Sequence, residues 1–215
     1  MKLKWFGHSC FLITSNEGLR IITDPYTPVG DLKYSPVTEA ADIVIVSHDH
    51  FDHNNVSMIS GKPEVVTGVG VKDVKGIQFK GVATYHDESQ GGQRGKNTVF
   101  CFSVDGIKLC HLGDLGHKLS REQAAEVGGV DVLLVPVGGF YTIDASVASQ
   151  VCDDLKPRVI IPMHFKTPKC DFPIVTEEDF LKGKGNVRKL DSSEIEFKQD
   201  ELPDATEIVV LKPAQ

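Results

Sequence analysis

The chain has 215 residues, with 23 Lys and Arg against 30 Asp and Glu, which gives a formal net charge of −7. A chain of this length buries a large hydrophobic core without help from a disulfide or a structural metal, so we expect one domain over residues 1–215. The negative charge and the lack of a Lys/Arg run argue against binding to nucleic acid, because phosphate backbones attract basic surfaces.

The first half of the chain is rich in short β-favouring runs separated by turn residues. Residues 24–38 contain several prolines and glycines without periodicity, and residues 87–96 are polar and glycine-rich. We expect a functional loop in the first segment and a mobile loop in the second. We predict strands at 2–6, 10–14, 19–23, 41–46 and 64–67, a turn and edge strand within 72–80, a separate strand at 81–85, a hairpin of 98–104 with 107–111, and a short helix at 54–60.

In the second half, helices alternate with strands. A helix start at Ser120 leads to Gly128-Gly129, and the clearest helix, 144–155, is capped by Asp144. A third helix opens near Thr176, with acidic residues in its first turn. Strands are predicted at 132–137, 159–161, 194–198 and 207–211. Early strands followed by alternating strands and helices indicate a layered α/β fold with mixed sheets.

Five scattered cysteines, none in a Cys-x-x-Cys pair, indicate buried reduced thiols. The N-terminus lacks the apolar core of a signal peptide, and no run approaches the ~20 apolar residues of a membrane helix. We therefore expect a cytoplasmic protein with no membrane partner.

The most informative stretch is His48-Asp49-His50-Phe51-Asp52-His53, directly after the apolar run 43–46. In an extended segment alternate side chains point the same way, so His48 and His50 can converge on one ion while Asp52 and His53, after a turn, face another. These residues could instead cap a helix beginning near Asn54, but a cap needs one such residue and this loop supplies five. The spacing indicates two metal ions.

Three further ligand-type residues follow predicted strands: His86, Asp114 and His164. Strand ends on one side of a sheet converge in space even when they are far apart in sequence. Each residue taken alone would more often be a hydrogen-bonded core or rim residue. Together with the 48–53 cluster they point to one metal centre.

The pattern His48-x-His50-x-Asp52-His53, then His86, Asp114 and His164, resembles the metallo-β-lactamase superfamily over nearly the whole chain. Within it, Gly7-His8-Ser9, 113–117, 136–139 and 162–164 resemble the group that includes L-ascorbate-6-phosphate lactonase. The resemblance implies a four-layer αβ/βα sandwich of two mixed β-sheets with two divalent ions in a cleft. It also implies that His48, His50 and His86 hold the first ion, that Asp52, His53 and His164 hold the second, and that Asp114 bridges them.

Differences from other branches of the superfamily restrict which branch this sequence resembles. An aspartate at 114, where β-lactamases often have cysteine, gives a harder ligand set, and His50 replaces the glutamate of flavodiiron proteins. We expect neither the extra helical domain of glyoxalase II nor the tRNA-gripping arm of ribonuclease Z in this protein. Zn²⁺ is the first expectation for the metal, with Mn²⁺ or Fe²⁺ open.

Several other residues are expected near the cleft. His8, Asp24 and Asp49 are interpreted as supports for the ligands, His117 and Tyr141 as either substrate contacts or solvent-facing rim, and Gly138-Gly139 as a point of close backbone packing. Lys166 and Arg94 are the basic groups expected nearest the cleft.

The predicted activity is hydrolysis of a small ester, lactone or phosphoester by hydroxide held between two metals, with Asp52, Asp114 and His117 as the catalytic residues. The expected partner is a small, anionic substrate, and a homo-oligomer is left open. A phosphodiesterase or nuclease on the same fold, or a metal-binding protein without catalysis, are the alternatives.

Overall fold

In the computed structural model, which describes residues 1–214, the chain forms two mixed sheets that face each other. The first sheet has six strands in the order β13-β1-β2-β3-β4-β5, antiparallel from β13 to β3 and parallel from β3 to β5. Its strands are β1 (Lys2–Gly7), β2 (Cys10–Thr14), β3 (Arg20–Thr23), β4 (Ile43–Val46), β5 (Glu64–Thr67) and β13 (Glu194–Glu196).

The second sheet has eight strands in the order β12-β14-β11-β10-β9-β8-β7-β6, antiparallel among β6 to β9 and parallel from β9 to β12. Its strands are β6 (Gly70–Val74), β7 (Ile77–Tyr85), β8 (Lys96–Val104), β9 (Ile107–His111), β10 (Val132–Pro136), β11 (Val159–Met163), β12 (Val187–Lys189) and β14 (Glu207–Val210).

Helices are few. The α-helices are α1 (Arg121–Val127), α2 (Ala145–Leu155) and α3 (Glu178–Leu181), and single 3₁₀ turns cover Val56–Met58 and Gln199–Glu201. Ser120 closes a capping box with Gln123, and Asp144 accepts the Val147 N–H, as expected for residues that satisfy the free amides of a helix start. No helix within residues 1–214 is long and apolar enough to cross a membrane.

The six-stranded sheet is buried on both faces. Ile43 and Ile45 of β4 enter the core between the sheets, whereas Val44 and Val46 face a second apolar cluster outside. That outer cluster is closed by loop residues of segments 26–41 and 170–174, and the helices α1 and α2 contact the eight-stranded sheet instead. The four-residue run Ile-Val-Ile-Val of β4 therefore has no solvent-facing side, which explains its continuous hydrophobicity.

The predicted α/β sandwich of two mixed sheets is confirmed. Two local predictions are wrong, and one strand was missed. The strand predicted at 81–85 is the end of the longer β7, the helix predicted at 54–60 is a single 3₁₀ turn, and the short edge strand β12 was not predicted. The C-terminal ends of β7, β9 and β11 point to the same edge of their sheet, and the end of β4 faces them.

Candidate metal centre

The structure brings the seven predicted ligands together at this edge. His48, His50 and His86 form one group whose ligand atoms lie within 4.8 Å of one another. Asp52, His53 and His164 belong to a second group that also includes His8, and His48, His53 and Asp114 form a third. His48 Nε2 lies 3.1 Å from His50 Nδ1. Two imidazole nitrogens at this distance either share a proton in a hydrogen bond or face one cation together.

Asp114 lies between the two groups. Its Oδ2 is 3.2 Å from the Nε2 atoms of His53, His86 and His164, and 4.0 Å from that of His48. The carboxylate is 2% exposed, and its Oδ1 has no hydrogen-bond partner within residues 1–214. One carboxylate oxygen within reach of histidines from both groups is the position that a bridging ligand requires.

The turn that carries Asp114 depends on a glycine. Gly113 has φ +55°, and a Cβ there would lie 2.5 Å from Asn97 Oδ1 and 2.6 Å from the Ser47 Cβ. Asn97 Oδ1 accepts the Asp114 N–H at 3.0 Å, while its Nδ2 donates to the Leu112 carbonyl. Asn97, which the sequence did not single out, therefore fixes the backbone on both sides of Gly113.

Asp24 is the hub of the hydrogen bonds behind the ligands. Its wholly buried carboxylate accepts four bonds, from Ser47 N–H (2.7 Å), Ser47 Oγ (2.7 Å), His53 Nδ1 (3.0 Å) and His111 Nε2 (2.8 Å). Burial alone would raise the pKa of Asp24, but His111 and His53 beside it lower it well below its usual range. The bond to His53 matches the supporting role expected of Asp24. Ser47 and His111 are further partners of Asp24 that the sequence analysis did not identify.

These bonds determine which ring nitrogens face the centre. Because an ionised carboxylate only accepts, Nδ1 of His53 carries a proton toward Asp24. Ser47 Oγ donates to Asp24 and so accepts from Nδ1 of His48 at 2.9 Å. The Nε2 lone pairs of His48 and His53 are thus directed at the centre, as in metal sites where a supporting group fixes the tautomer.

The charges at the centre fit a cation. Burial lowers the pKa of His53, but the nearby carboxylates of Asp114 and Asp52 outweigh it and raise that pKa well above the usual value. The buried Nε2 of His53 nevertheless has no hydrogen-bond partner in the described chain. A divalent ion would be stabilised by the same negative carboxylates and would pair with both His53 and Asp114, so the residues present fit a metal.

The imidazoles of His48 and His50 are suited to bind metal as neutral ligands. Burial, followed by the proximity of His53, lowers the pKa of His48 to about 3, and burial with His86 nearby lowers that of His50. Metal binding requires the unprotonated nitrogen, and these groups need lose no proton at neutral pH.

His8 lies closer to the centre than its sequence position indicated. Its Nε2 lies 3.2 Å from Asp52 Oδ2, and its ring centroid lies 4.1 Å from that of His164. Burial and then His164 lower the pKa of His8 to about 4, so the neutral ring donates its Nε2–H to the Asp52 carboxylate. The His8 carbonyl also accepts the His164 N–H at 3.1 Å, which ties the β1–β2 turn to the end of β11.

A cleft of about 470 Å³ opens over the ligands, within the range of small-molecule sites. Its apolar wall consists of Phe51, Tyr141 and Phe172, and Arg94 is the one Lys or Arg among its described lining residues. Asp49, expected to support the ligands, lies at the rim and accepts a hydrogen bond from Asn54.

Two predicted site residues are not brought to this cleft. His117 uses both ring nitrogens on backbone: Nε2 accepts the Tyr85 N–H at 3.1 Å, and Nδ1 donates to the Lys118 carbonyl at 2.8 Å. Lys166 donates its ammonium to the Phe172 carbonyl at 3.0 Å and lines a different cavity. Gly138, in contrast, packs as expected, with its N–H 3.1 Å from the His164 carbonyl.

Comparisons with known proteins place these features in a family context. Residues 2–164 match the family model described as beta-lactamase superfamily domain. A UPF0173 metal-dependent hydrolase of Carboxydothermus hydrogenoformans is 31% identical over 194 residues, which covers 78% of this chain and 85% of the relative. One from Archaeoglobus fulgidus is 29% identical and covers 100% of this chain and 97% of the relative.

Among solved structures, a protein of Thermotoga maritima described as a candidate Zn-dependent hydrolase of the metallo-beta-lactamase superfamily is similar to this chain with a TM-score of 0.80. The two sequences are 40% identical, and the match covers 98% of this chain and 97% of the other.

Proposed function

The chain belongs to the metallo-β-lactamase superfamily, among its UPF0173 metal-dependent hydrolases, and on that premise we propose that it hydrolyses a small ester, lactone or phosphoester at a centre of two divalent ions. The lactone in this set follows from the sequence resemblance to the ascorbate-6-phosphate lactonase group. We also propose that residues 1–215 act as one domain, because side chains of both sheets share one core cluster.

We assign the ligands as the sequence pattern predicts. His48, His50 and His86 would hold one ion, Asp52, His53 and His164 the other, and Asp114 both. Zn²⁺ suits the imidazole-rich set, and Mn²⁺ or Fe²⁺ would also accept the carboxylates. Ions at such a centre bring the pKa of water toward neutrality and polarise the oxygen of the substrate.

The chain itself supplies orientation. Asp24 and Ser47 hold His53 and His48 in the tautomer that directs Nε2 inward. His8 donates a hydrogen bond to Asp52 and so limits the rotation of that carboxylate. Neither ring nitrogen of His117 is free, so we assign it no part in proton transfer and place it instead as a brace between Tyr85 and Lys118.

One observation carries this proposal. Buried Asp114 Oδ1 and His53 Nε2, with no hydrogen-bond partner among residues 1–214, lie in the middle of a cluster of imidazoles. Isolated buried polar atoms are costly, so a native protein keeps them where a ligand satisfies them.

The test is a panel of esters, lactones, phosphomonoesters and phosphodiesters assayed with metal-loaded protein. We expect hydrolysis of at least one small substrate, lost in Asp52→Ala so that contaminating enzymes are excluded. RNA and single-stranded DNA belong in the same panel, at low and physiological salt. Cleavage of these polymers with a steep salt dependence, and of no small substrate, would contradict the proposal and favour the nuclease alternative.

A further inference from the structure

The loop after His86 is held together by one carboxylate. Asp87 Oδ1 accepts the N–H groups of Ser89 (2.7 Å) and Gly91 (2.9 Å), and Oδ2 accepts those of Gln93 (2.9 Å) and Arg94 (2.7 Å). The side chain of Asp87 is itself buried, at 3% exposure for the residue. Four charge-assisted bonds from one side chain fix the path of a loop that has no regular secondary structure.

The loop is also closed at its base. The Gly95 N–H donates to the Gly91 carbonyl at 3.1 Å, and the Gly95 carbonyl accepts the His86 N–H at 3.0 Å. The sequence predicted a mobile loop here, whereas the structure ties it to a proposed metal ligand. The position of Arg94 is therefore set relative to the metal centre before any substrate binds.

Arg94 presents a guanidinium that the described protein does not pair. It lines the cleft, with its Cζ 5.6 Å from the centroid of the Tyr141 ring. Within residues 1–214 its guanidinium makes no ion pair with a carboxylate within 4.0 Å. A half-buried arginine next to an aromatic face and without a carboxylate partner has its hydrogen-bond donors available for a ligand.

The charge of the cleft favours an anion once the centre is loaded. Two divalent cations would offset the carboxylates of Asp52, Asp114 and Asp49 together with a hydroxide held between the ions, so that Arg94 leaves a net positive charge. The planar guanidinium matches a carboxylate or a phosphate with two parallel hydrogen bonds. Phe51, Tyr141 and Phe172 form an apolar wall beside it.

We propose that Arg94 is the specificity-determining residue of the cleft, that it binds a carboxylate or phosphate carried by the substrate, and that Asp87 is the positioning residue that holds it there. The substrate is then a small anion with an apolar part next to its scissile bond. This inference rests on the proposed hydrolase function and names the substrate class of the same site.

The test compares matched substrates. Each pair shares an ester bond to a phenol-type leaving group, and one member carries an added anionic group. In the first two pairs this group is a carboxylate: 4-nitrophenyl butyrate against mono-4-nitrophenyl glutarate, and phenyl acetate against 4-acetoxybenzoate. A third pair, phenyl acetate against 4-acetoxyphenyl phosphate, tests a phosphate in place of the carboxylate. The readout is the ratio of kcat/KM for the anionic substrate to kcat/KM for the neutral one.

Arg94→Ala should lower this ratio about 10- to 100-fold for at least one pair, as expected for the loss of charge-assisted hydrogen bonds. Arg94→Lys should recover part of it, because it restores the charge without the bidentate fork. Arg121→Ala is the matched control, since Arg121 is an exposed arginine on α1 that lines no cavity at the cleft, and it should leave the ratio unchanged.

Asp87→Asn should act in the same direction through KM. It replaces one of the two acceptor oxygens with an NH2 donor, so KM for the anionic substrate should rise several-fold while kcat changes less and elemental analysis finds the same metal content. The neighbouring exposed acid gives the control Glu88→Gln, which should leave this KM unchanged.

The inference is overturned if Arg94→Ala keeps the ratio within about twofold of the parent protein for every pair while the parent hydrolyses these substrates. It is also overturned in its positioning part if Asp87→Asn changes kcat and KM for both substrates alike. Failure of the metal-loaded parent to hydrolyse any substrate contradicts the proposed function instead, so the two failures are distinguishable.

Discussion

The ligand cluster and the rim of the cleft are adjacent but differ in how they are held. Asp24 and His53 are wholly buried and Asp114 is 2% exposed, whereas Phe51 at the rim is 54% exposed. The ligands lie on strand ends that the two sheets fix, and the rim lies on loops that their own hydrogen bonds fix. The buried layer thus supplies the chemistry, and the exposed layer is free to determine which substrate reaches it.

The largest loss of activity is expected from a substitution at the centre of the buried ligand layer. Asp114→Ala should abolish hydrolysis, a greater loss than the roughly 10–100-fold typical of residues behind the ligands. The reason is that both groups of histidines approach the same carboxylate oxygen. Activity with saturating metal, measured beside circular dichroism to confirm folding, checks this, and a folded, active Asp114→Ala protein would contradict the bridging assignment.

A smaller effect is expected one layer behind the ligands. Asp24→Ala leaves buried donors of Ser47, His53 and His111 without an acceptor, so metal affinity should fall ~10–100-fold and the free energy of unfolding by several times the ~1–3 kcal/mol of one such group. The control is Asp49→Ala in the exposed part of the neighbouring turn, with one side-chain partner, Asn54. Metal titration and denaturant unfolding measure both, and equal effects of the two substitutions would refute the hub role of Asp24.

The sequence predicted the part of the site that directly follows a recognisable strand pattern. The apolar run that becomes β4 ends at Val46, and the dense His/Asp motif follows it, so the position of the ligands was readable. Lys166 was expected to face the cleft from its spacing to His164, but His164 has φ +51°, and a left-handed residue breaks the alternation on which that expectation depends.

The rim and the supporting residues were harder to predict for a different reason. Arg94 is positioned because Asp87 accepts four backbone bonds within an aperiodic loop, one of them from the Arg94 N–H. Asn97 is positioned by bonds to residues 112 and 114, which are close to it only in the folded chain. The sequence did contain two signals for supporting residues. His111 ends the apolar strand 107–111, and Asp87 directly precedes a glycine-rich loop, an arrangement common in turns. Neither signal shows that His111 bonds to Asp24 or that Asp87 bonds to the Arg94 N–H.

Backbone packing around the centre gives the third prediction. Gly113→Ala should lower the free energy of unfolding by ~2–4 kcal/mol, because the φ +55° conformation is unfavourable and the new Cβ meets Asn97 and Ser47. Gly18→Ala has φ +86° but open space around its Cβ, and should cost only ~1–2 kcal/mol. Urea unfolding of the two variants separates conformational strain from steric conflict. A Gly113→Ala protein as stable as Gly18→Ala would refute the close packing at the Asp114 turn.

The smallest effect is expected at His117, which the sequence placed among the catalytic residues. Its ring bridges two backbone groups, so His117→Ala should leave kcat/KM within about threefold of the parent and reduce stability by ~1 kcal/mol. Steady-state kinetics decide this. A loss as large as that of Asp52→Ala, with metal still bound, would restore His117 to the catalytic machinery.

The most direct test of the central claim is the number of metal ions per chain. Protein stripped of metal, reconstituted at neutral pH and freed of excess ion should contain two divalent ions per chain by elemental analysis, and Asp114→Ala should contain fewer. Two ions are expected because the histidine groups converge separately and meet at one carboxylate. Only trace metal in the reconstituted parent protein would contradict the account.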